Sequence, residues 1–236
     1  MIEISGLNKS FDKNLALKDI NLTFDKGNIV AVMGPDGSGK TTLLKCILGL
    51  VKQDNGDITV KGINTRNNSQ YREYIGYMPQ TARYPENLKV KELIAMLKDV
   101  KGDHCVYDNE LIEKLNLKSV YNKSIGTLSS GTKQRVSGSI AFLFGQEIII
   151  LDEPTAGLDP VSTEIMKSKI LHEKEKGKLI IITSHITSEV EELADRVVFL
   201  LEGSIYADTS VDELKSKTGT ASLNSAVARI MESNGS

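Results

Sequence analysis

Between residues 34 and 41 the chain reads Gly34, Pro35, Asp36, Gly37, Ser38, Gly39, Lys40, Thr41, and Thr42 follows. Glycines at the first, fourth and sixth places let successive backbone N–H groups turn into one concave nest. A helix opening at Lys40 would add the positive end of its dipole, so the segment is built to hold a polyphosphate. In that arrangement Lys40 reaches the terminal phosphates and the Thr41 hydroxyl faces a divalent cation. A second candidate is EIIILDEP, residues 147–154, an apolar run that ends in Asp152 and Glu153. Asp152 at a strand end suits a Mg2+ shell, and Glu153 stands where a carboxylate orients or deprotonates an attacking water.

Both segments need rigid strands beneath them, and the pattern supplies candidates. Residues 2–4, 20–24, 29–33 and 58–60 are short, rich in β-branched residues and bounded by Gly, Asn or Asp, as strands are. Residues 147–151, 178–183 and 196–201 are nearly continuous apolar runs, the mark of parallel strands covered on both faces. From 85 to 144 the reading changes to amphipathic helices over 90–97, 110–115 and 132–144, with no strand among them. Helix starts are expected at Asp159 before Pro160, and at the boxes Ser188 to Glu191 and Ser210 to Glu213. A weakly amphipathic helix over 221–231 closes the chain. The expected organisation is one domain over 1–236: an α/β core from 1–84 and 146–210, a helical subdomain at 85–145 and a helical tail at 211–236.

Composition narrows the class. The 236 residues are 40% hydrophobic and 25% charged, as in soluble globular proteins, and 29 Lys and Arg against 31 Asp and Glu leave no cationic excess for nucleic acid. With no Trp and 5% aromatics the core must be aliphatic. The longest apolar candidate, IAFLFGQEIIIL, is interrupted by Gly145, Gln146 and Glu147, short of the ~20 apolar residues a spanning helix needs. The start has no basic segment followed by an apolar one, so no secretory signal is expected and the cytosol is the default compartment. Cys46 and Cys105 lie in unrelated contexts, and Cys46 reads as a small core residue.

Three further segments carry a family resemblance: TLSSGTKQR at 127–135, PTAGLDP at 154–160 and TSH at 183–185. With the phosphate loop and the acidic pair, in this order, the chain resembles the ATP-binding subunit of an ABC transporter from Ile2 to about Gly203. The resemblance implies a P-loop NTPase (RecA-like) α/β core, an N-terminal antiparallel β subdomain and an inserted α-helical subdomain. ATP and Mg2+ are the implied ligands, with ATP hydrolysis the implied activity. Phe11 matches the aromatic that stacks on adenine, although a core Phe of the β-rich lobe fits the same position. Gln80 in GYMPQ matches the Gln that reaches Mg2+ and water, and His185 the His that grips the γ-phosphate and supports Glu153. Asp159 matches a loop acid that couples two sites across a dimer, and an N-cap before Pro160 is compatible with that. Where the family usually has Leu-Ser-Gly-Gly-Gln, this chain has Leu128, Ser129, Ser130, Gly131 and Thr132. Ser129 keeps the hydroxyl and Gly131 the close backbone approach, while Ser130 adds a side chain and Thr132 is shorter. Lys133 and Arg135 follow the family's basic pair.

The resemblance also implies partners: a second copy of the chain in a head-to-tail, ATP-dependent homodimer, and a separate transmembrane permease. The chain would then lie on the cytoplasmic membrane face, held only through that permease. YMPQTARYPENLKVKEL, LSSGTKQR and the following AFLFGQEIIILDEPTAGLDPVS further resemble the ATPase associated with copper-site maturation of nitrous oxide reductase. Nothing in these residues reads as a copper site, so recognition of cargo would fall to the partner. The alternative is an ABC-type ATPase acting on a non-membrane partner such as DNA or the ribosome. The interval from Thr41 to Leu128 is too short for the coiled-coil arms of DNA-repair members, and one cassette stands where ribosomal members carry two. A GTPase reading fails because NKSFD, residues 8–12, has the wrong register and precedes the phosphate loop. His104 beside Cys105 reads as solvated loop, His172 as part of an exposed helix face, and Met33, Met78, Met96, Met166 and Met231 as gap fillers.

Overall fold

The computed structural model describes residues 1–12, 14–102 and 106–234. Its strands are β1 (Ile2–Phe11), β2 (Asn14–Phe24), β3 (Ile29–Met33), β4 (Asn55–Val60), β5 (Ile63–Asn64), β6 (Ile75–Met78), β7 (Ile148–Asp152), β8 (Leu179–Thr183), β9 (Arg196–Leu201) and β10 (Ser204–Thr209). Its helices are α1 (Lys40–Ile47), α2 (Val90–Lys101), α3 (Glu110–Lys114), α4 (Ser130–Phe142), α5 (Pro160–Glu175), α6 (Thr187–Leu193), α7 (Val211–Thr218) and α8 (Leu223–Asn234). An antiparallel sheet runs β2-β1-β4-β5, and a six-stranded sheet runs β10-β9-β3-β8-β7-β6. The six-stranded sheet is parallel from β9 to β6, and only the edge strand β10 runs the other way.

The burial patterns follow from what covers each sheet. In β1, Ile2, Ile4 and Leu7 are buried while Glu3 and Ser5 are exposed, the alternation of a sheet with one wet face. Every residue of β3, β7 and β8 is buried, because helices or the other sheet cover both sides. Along β3, Val30 and Val32 pack toward the antiparallel sheet and α1, with Leu43, Leu44 and Cys46. Ile29, Ala31 and Met33 face the opposite layer, which includes Leu93 of α2, Leu111 of α3, Phe142 of α4 and Ile170 of α5. The helical segment therefore shares one apolar layer with the sheet. Cys46 is a fully buried thiol whose pKa burial pushes up to about 11.

Several expectations change in the structure. β6 and β10 form where the periodicity gave no element, α7 starts at the expected Ser210 box, and α8 begins at Leu223 rather than 221. The Ser188 to Glu191 box does not form. α6 starts at Thr187 with Ile186 as its N-cap residue, and Glu191 Oε1 instead accepts from Leu223 N at 3.0 Å, tying α6 to α8. Half of the second box is present: Ser210 accepts from Glu213 N at 3.2 Å, while the Glu213 carboxylate takes the Thr209 hydroxyl. Met33, Met78 and Met166 fill the core, whereas Met96 and Met231 are exposed. His172 is exposed on α5, 3.6 Å from Glu175. The reading of His104 and Cys105 falls on residues outside those described.

Candidate nucleotide site

Parallel strands deliver side chains to one edge of the sheet, where their carboxyl ends open a crevice. Gly34 follows β3, Gln80 lies two residues past β6, Asp152 ends β7 and His185 lies two residues past β8. One pocket is lined by Asp36, Gly37, Gly39, Lys40, Thr41, Thr42, Gln80, Asp152, Glu153 and His185, with Ala16 at its side. Six of the nine residues expected over 34–42 thus meet the acidic pair, Gln80 and His185 in one place, while Gly34, Pro35 and Ser38 are not in its lining. The loop's tightness has a cause at Gly34, whose φ is +143°: a Cβ there would lie 2.1 Å from Leu200 O and 2.6 Å from Ser38 Oγ.

Within the pocket Lys40 is 8% exposed, and its Nζ donates to Gly34 O at 2.7 Å and Pro35 O at 2.9 Å. Burial lowers its pKa, and the carboxylates of Asp36, Glu153 and Asp152 oppose that shift. Asp152 is 2% exposed; its Oδ1 accepts from the Thr183 hydroxyl at 2.6 Å and its Oδ2 has no partner. Burial raises the Asp152 pKa, the Thr183 hydrogen bond lowers it and Glu153 raises it again. A buried carboxylate oxygen left without a donor, beside the hydroxyl-bearing Thr41, is the chemistry of a hard-cation ligand, so these residues fit Mg2+.

Glu153 is the hub. Its Oε1 lies 3.0 Å from His185 Nε2 and accepts from Gln80 Nε2 at 3.1 Å. Its backbone N donates to Thr183 O at 3.2 Å and to Thr183 Oγ1 at 3.0 Å, and its φ is +54°, left-handed for a non-glycine residue. His185 is half exposed and also lies 3.6 Å from Asp36. The core position also open to Phe11 does not hold, since Phe11 is 47% exposed at the end of β1 with Lys9 Nζ 5.3 Å from its ring centre. Phe11 is not among the residues lining the phosphate pocket.

The variant segment lies elsewhere. Ser129 caps α4, accepting from Thr132 N at 3.3 Å, and its hydroxyl meets the Thr132 hydroxyl at 2.9 Å. Arg135 Nη2 donates to Thr132 Oγ1 at 3.1 Å, so the short Thr132 is turned into the chain's own helix start. Ser129 and Ser130 are exposed, and a Cβ on Gly131 would lie 2.7 Å from Gly157 O. None of Ser129, Ser130, Gly131 and Thr132 lines the phosphate pocket of its own chain. Asp159 caps α5 by accepting from Ser162 N at 3.0 Å and Ser162 Oγ at 2.6 Å. Two contributors escaped the sequence reading: Gln134, whose Nε2 donates to Glu153 O at 2.9 Å, and the Thr183 hydroxyl. Gln134 stands inside the recognised segment, and only its position among basic neighbours could have marked it.

Fold and pocket define a nucleotide-binding ATPase cassette. The model of the ABC transporter family matches residues 17–156. The lantibiotic transport ATP-binding protein SrtF of Streptococcus pyogenes is 32% identical over 212 residues, 90% of this chain and 92% of that one. A solved ATP-binding subunit of an ABC transporter superposes with a TM-score of 0.90 at 27% identity, covering 98% of this chain and 99% of the other. The dimeric bacterial ABC transporter cassette MJ0796 gives a TM-score of 0.80 at 25% identity, covering 89% and 98%. The chain belongs to the ABC transporter family, as an ATP-binding subunit whose activity is ATP hydrolysis coupled to transport. No helix among the described residues is long and apolar enough to cross a membrane.

Proposed function

We propose that this chain is the motor of an ABC transporter, closing head to tail on a second copy around Mg-ATP and driving a separate transmembrane permease from the cytoplasmic face. The observation that carries the reading is the convergence of Gln80 and His185 on one oxygen of Glu153, at the mouth of the loop that holds Lys40. Loop 34–42 cradles the phosphates through its backbone N–H groups, and Lys40 neutralises their charge. Thr41, Asp152 and Gln80 hold Mg2+, which when bound supplies charge neutralisation on the phosphates. Glu153 accepts the proton of the attacking water, while His185 and Gln80 fix its carboxylate. Phe11 supplies a flat surface for adenine.

None of Ser129, Ser130, Gly131 and Thr132 lines the phosphate pocket of its own chain, and in this reading they complete the site of the other copy, with Asp159 coupling the two. Mixing Lys40→Ala and Gly131→Asp chains tests it. A head-to-tail heterodimer has one site with both lesions and one with neither, so ATPase activity should partly recover. Activity no higher than either mutant alone, with the heterodimer demonstrably formed, would show that the segment does not act in trans. Specific activity should also rise with protein concentration until dimers saturate.

For the cargo we favour the role implied by the segments at 77–93, 128–135 and 141–162, support of copper-site maturation in nitrous oxide reductase. Disrupting the coding sequence in its host should leave that reductase short of copper. Normal copper loading together with new sensitivity to a lantibiotic would instead assign the chain to the transport role named for SrtF.

A further inference from the structure

Strands β7 and β8 are parallel neighbours, with Asp152 paired to Thr183, and the loops leaving them carry Glu153 and His185. Between those loops stands Glu189, from the first turn of α6. Its Oε2 accepts from Thr155 Oγ1 at 2.7 Å and from Ser184 Oγ at 3.3 Å. Glu189, Thr155 and Ser184 are only 8%, 6% and 6% exposed, so both hydrogen bonds are shielded from water. Each anchor sits next to a reacting group. Ser184 immediately precedes His185, and its Oγ also accepts from Ile186 N at 3.0 Å, closing the turn that carries the histidine. Thr155 is separated from Glu153 only by Pro154, whose ring fixes its own backbone angle. Glu153 itself holds φ +54°, a conformation that a non-glycine residue keeps only when its surroundings over-determine it.

We infer that Glu189 is a positioning residue for hydrolysis: through Thr155 and Ser184 it sets the register between the two loops so that Glu153 Oε1 and His185 Nε2 meet. Glu189 is absent from the lining of the phosphate pocket, so it acts on the chemistry through those loops and leaves the phosphate cradle untouched. One oxygen receiving two hydroxyls explains why an acceptor is needed here. Alanine would leave two buried hydroxyls without it, whereas glutamine retains an oxygen that can take them. The inference rests on the proposed role of Glu153.

The test compares wild type, Glu189→Ala, Glu189→Gln, His185→Ala and Glu153→Gln in the purified full chain, measuring kcat for ATP and, separately, equilibrium binding of a fluorescent ATP analogue. Glu189→Ala should lower kcat by ~10-fold to ~100-fold, the effect of a misplaced group, with analogue affinity changed less than ~2-fold. Glu189→Gln should recover kcat to within ~3-fold of wild type. Combined with His185→Ala, Glu189→Ala should add almost no further loss, because both act on one carboxylate. A kcat near wild type in Glu189→Ala, a parallel loss of affinity, or a double mutant that multiplies the two single losses would each overturn the inference. Turnover in Glu153→Gln would overturn the role of Glu153 itself. An inactive Glu153→Gln beside an active Glu189→Ala would overturn only the positioning role. If Glu189→Ala does not fold, Thr155→Val, which deletes the shorter of the two hydrogen bonds, is read by the same criteria.

Discussion

Replacing Thr183 with valine keeps the branched shape and removes one hydroxyl that serves two groups. That hydroxyl donates to Asp152 Oδ1 at 2.6 Å and accepts from Glu153 N at 3.0 Å, at a residue 1% exposed. A hydrogen bond to a carboxylate contributes about 1.5–3 kcal/mol, and a neutral one about 0.5–1.5 kcal/mol. Glu153 N keeps a second acceptor in Thr183 O at 3.2 Å, so the neutral loss falls at the bottom of its range. The expected destabilisation is about 2–3.5 kcal/mol. It should also depend on pH. Burial already holds the Asp152 pKa above the ordinary carboxylate value, and the hydrogen bond from Thr183 is the largest effect restraining it, ahead of Lys45 and Lys40. In the folded state this group binds its proton more tightly than in the unfolded chain. It therefore destabilises nothing below about pH 4, and its cost builds as the pH rises through the folded pKa. Without the hydroxyl the folded pKa climbs further and that cost grows. Urea unfolding of the nucleotide-free protein at about pH 4.5 and about pH 8 should show a larger difference between wild type and Thr183→Val at the higher pH. The Mg2+ concentration needed for ATPase activity should rise as well. A difference below about 1 kcal/mol at pH 8, or an equal one at both pH values, would refute the role assigned to this hydrogen bond.

Lys40→Ala removes the buried cation of the phosphate loop and should abolish ATP binding in equilibrium dialysis; unchanged affinity would defeat the site. Lys169, 1% exposed on α5, binds Asp108 at 2.5 Å, Glu110 at 2.7 Å and Glu173 at 3.0 Å, so Lys169→Met should cost about 3–5 kcal/mol in denaturant unfolding. Two carboxylates of that network titrate at about 2: Glu110, held down by Lys114 and Lys169, and Glu173, where burial pushes upward but Lys176, Lys178 and Lys169 prevail. Both pKa values are depressed, so their stabilisation is complete above pH 4.5 and lost as the pH falls toward 2, and acid unfolding of Lys169→Met should begin at a higher pH than in wild type.

What could be read without coordinates was whatever is contiguous in the chain. Residues 34–41 carry their own geometry, because the nest is made by neighbouring backbone groups and the flanking strand and helix have plain periodicities. The fully buried strands 148–152 and 179–183 announced themselves as apolar runs for the same reason. Contacts across the chain left no local signal. Gln134 reaches Glu153 over 19 positions and Thr155 reaches Glu189 over 34, and neither pair shows a spacing that periodicity can detect. Strand β6 was missed because IGYM is four residues long with no alternation, and it becomes a strand by pairing with β7. The Ser188 to Glu191 pattern misled because tertiary contacts claimed its glutamate: Glu191 bonds Leu223 N and lies 3.5 Å from Lys215.

Glu153→Gln is the most direct test of the central claim, because it keeps the shape of the hub and removes only its carboxylate. The account predicts that the purified variant binds Mg-ATP as wild type does and hydrolyses it at least ~100-fold more slowly. It should also accumulate as an ATP-bound dimer on size-exclusion chromatography. Wild-type turnover in that protein would contradict the account, since another group would then be orienting the water.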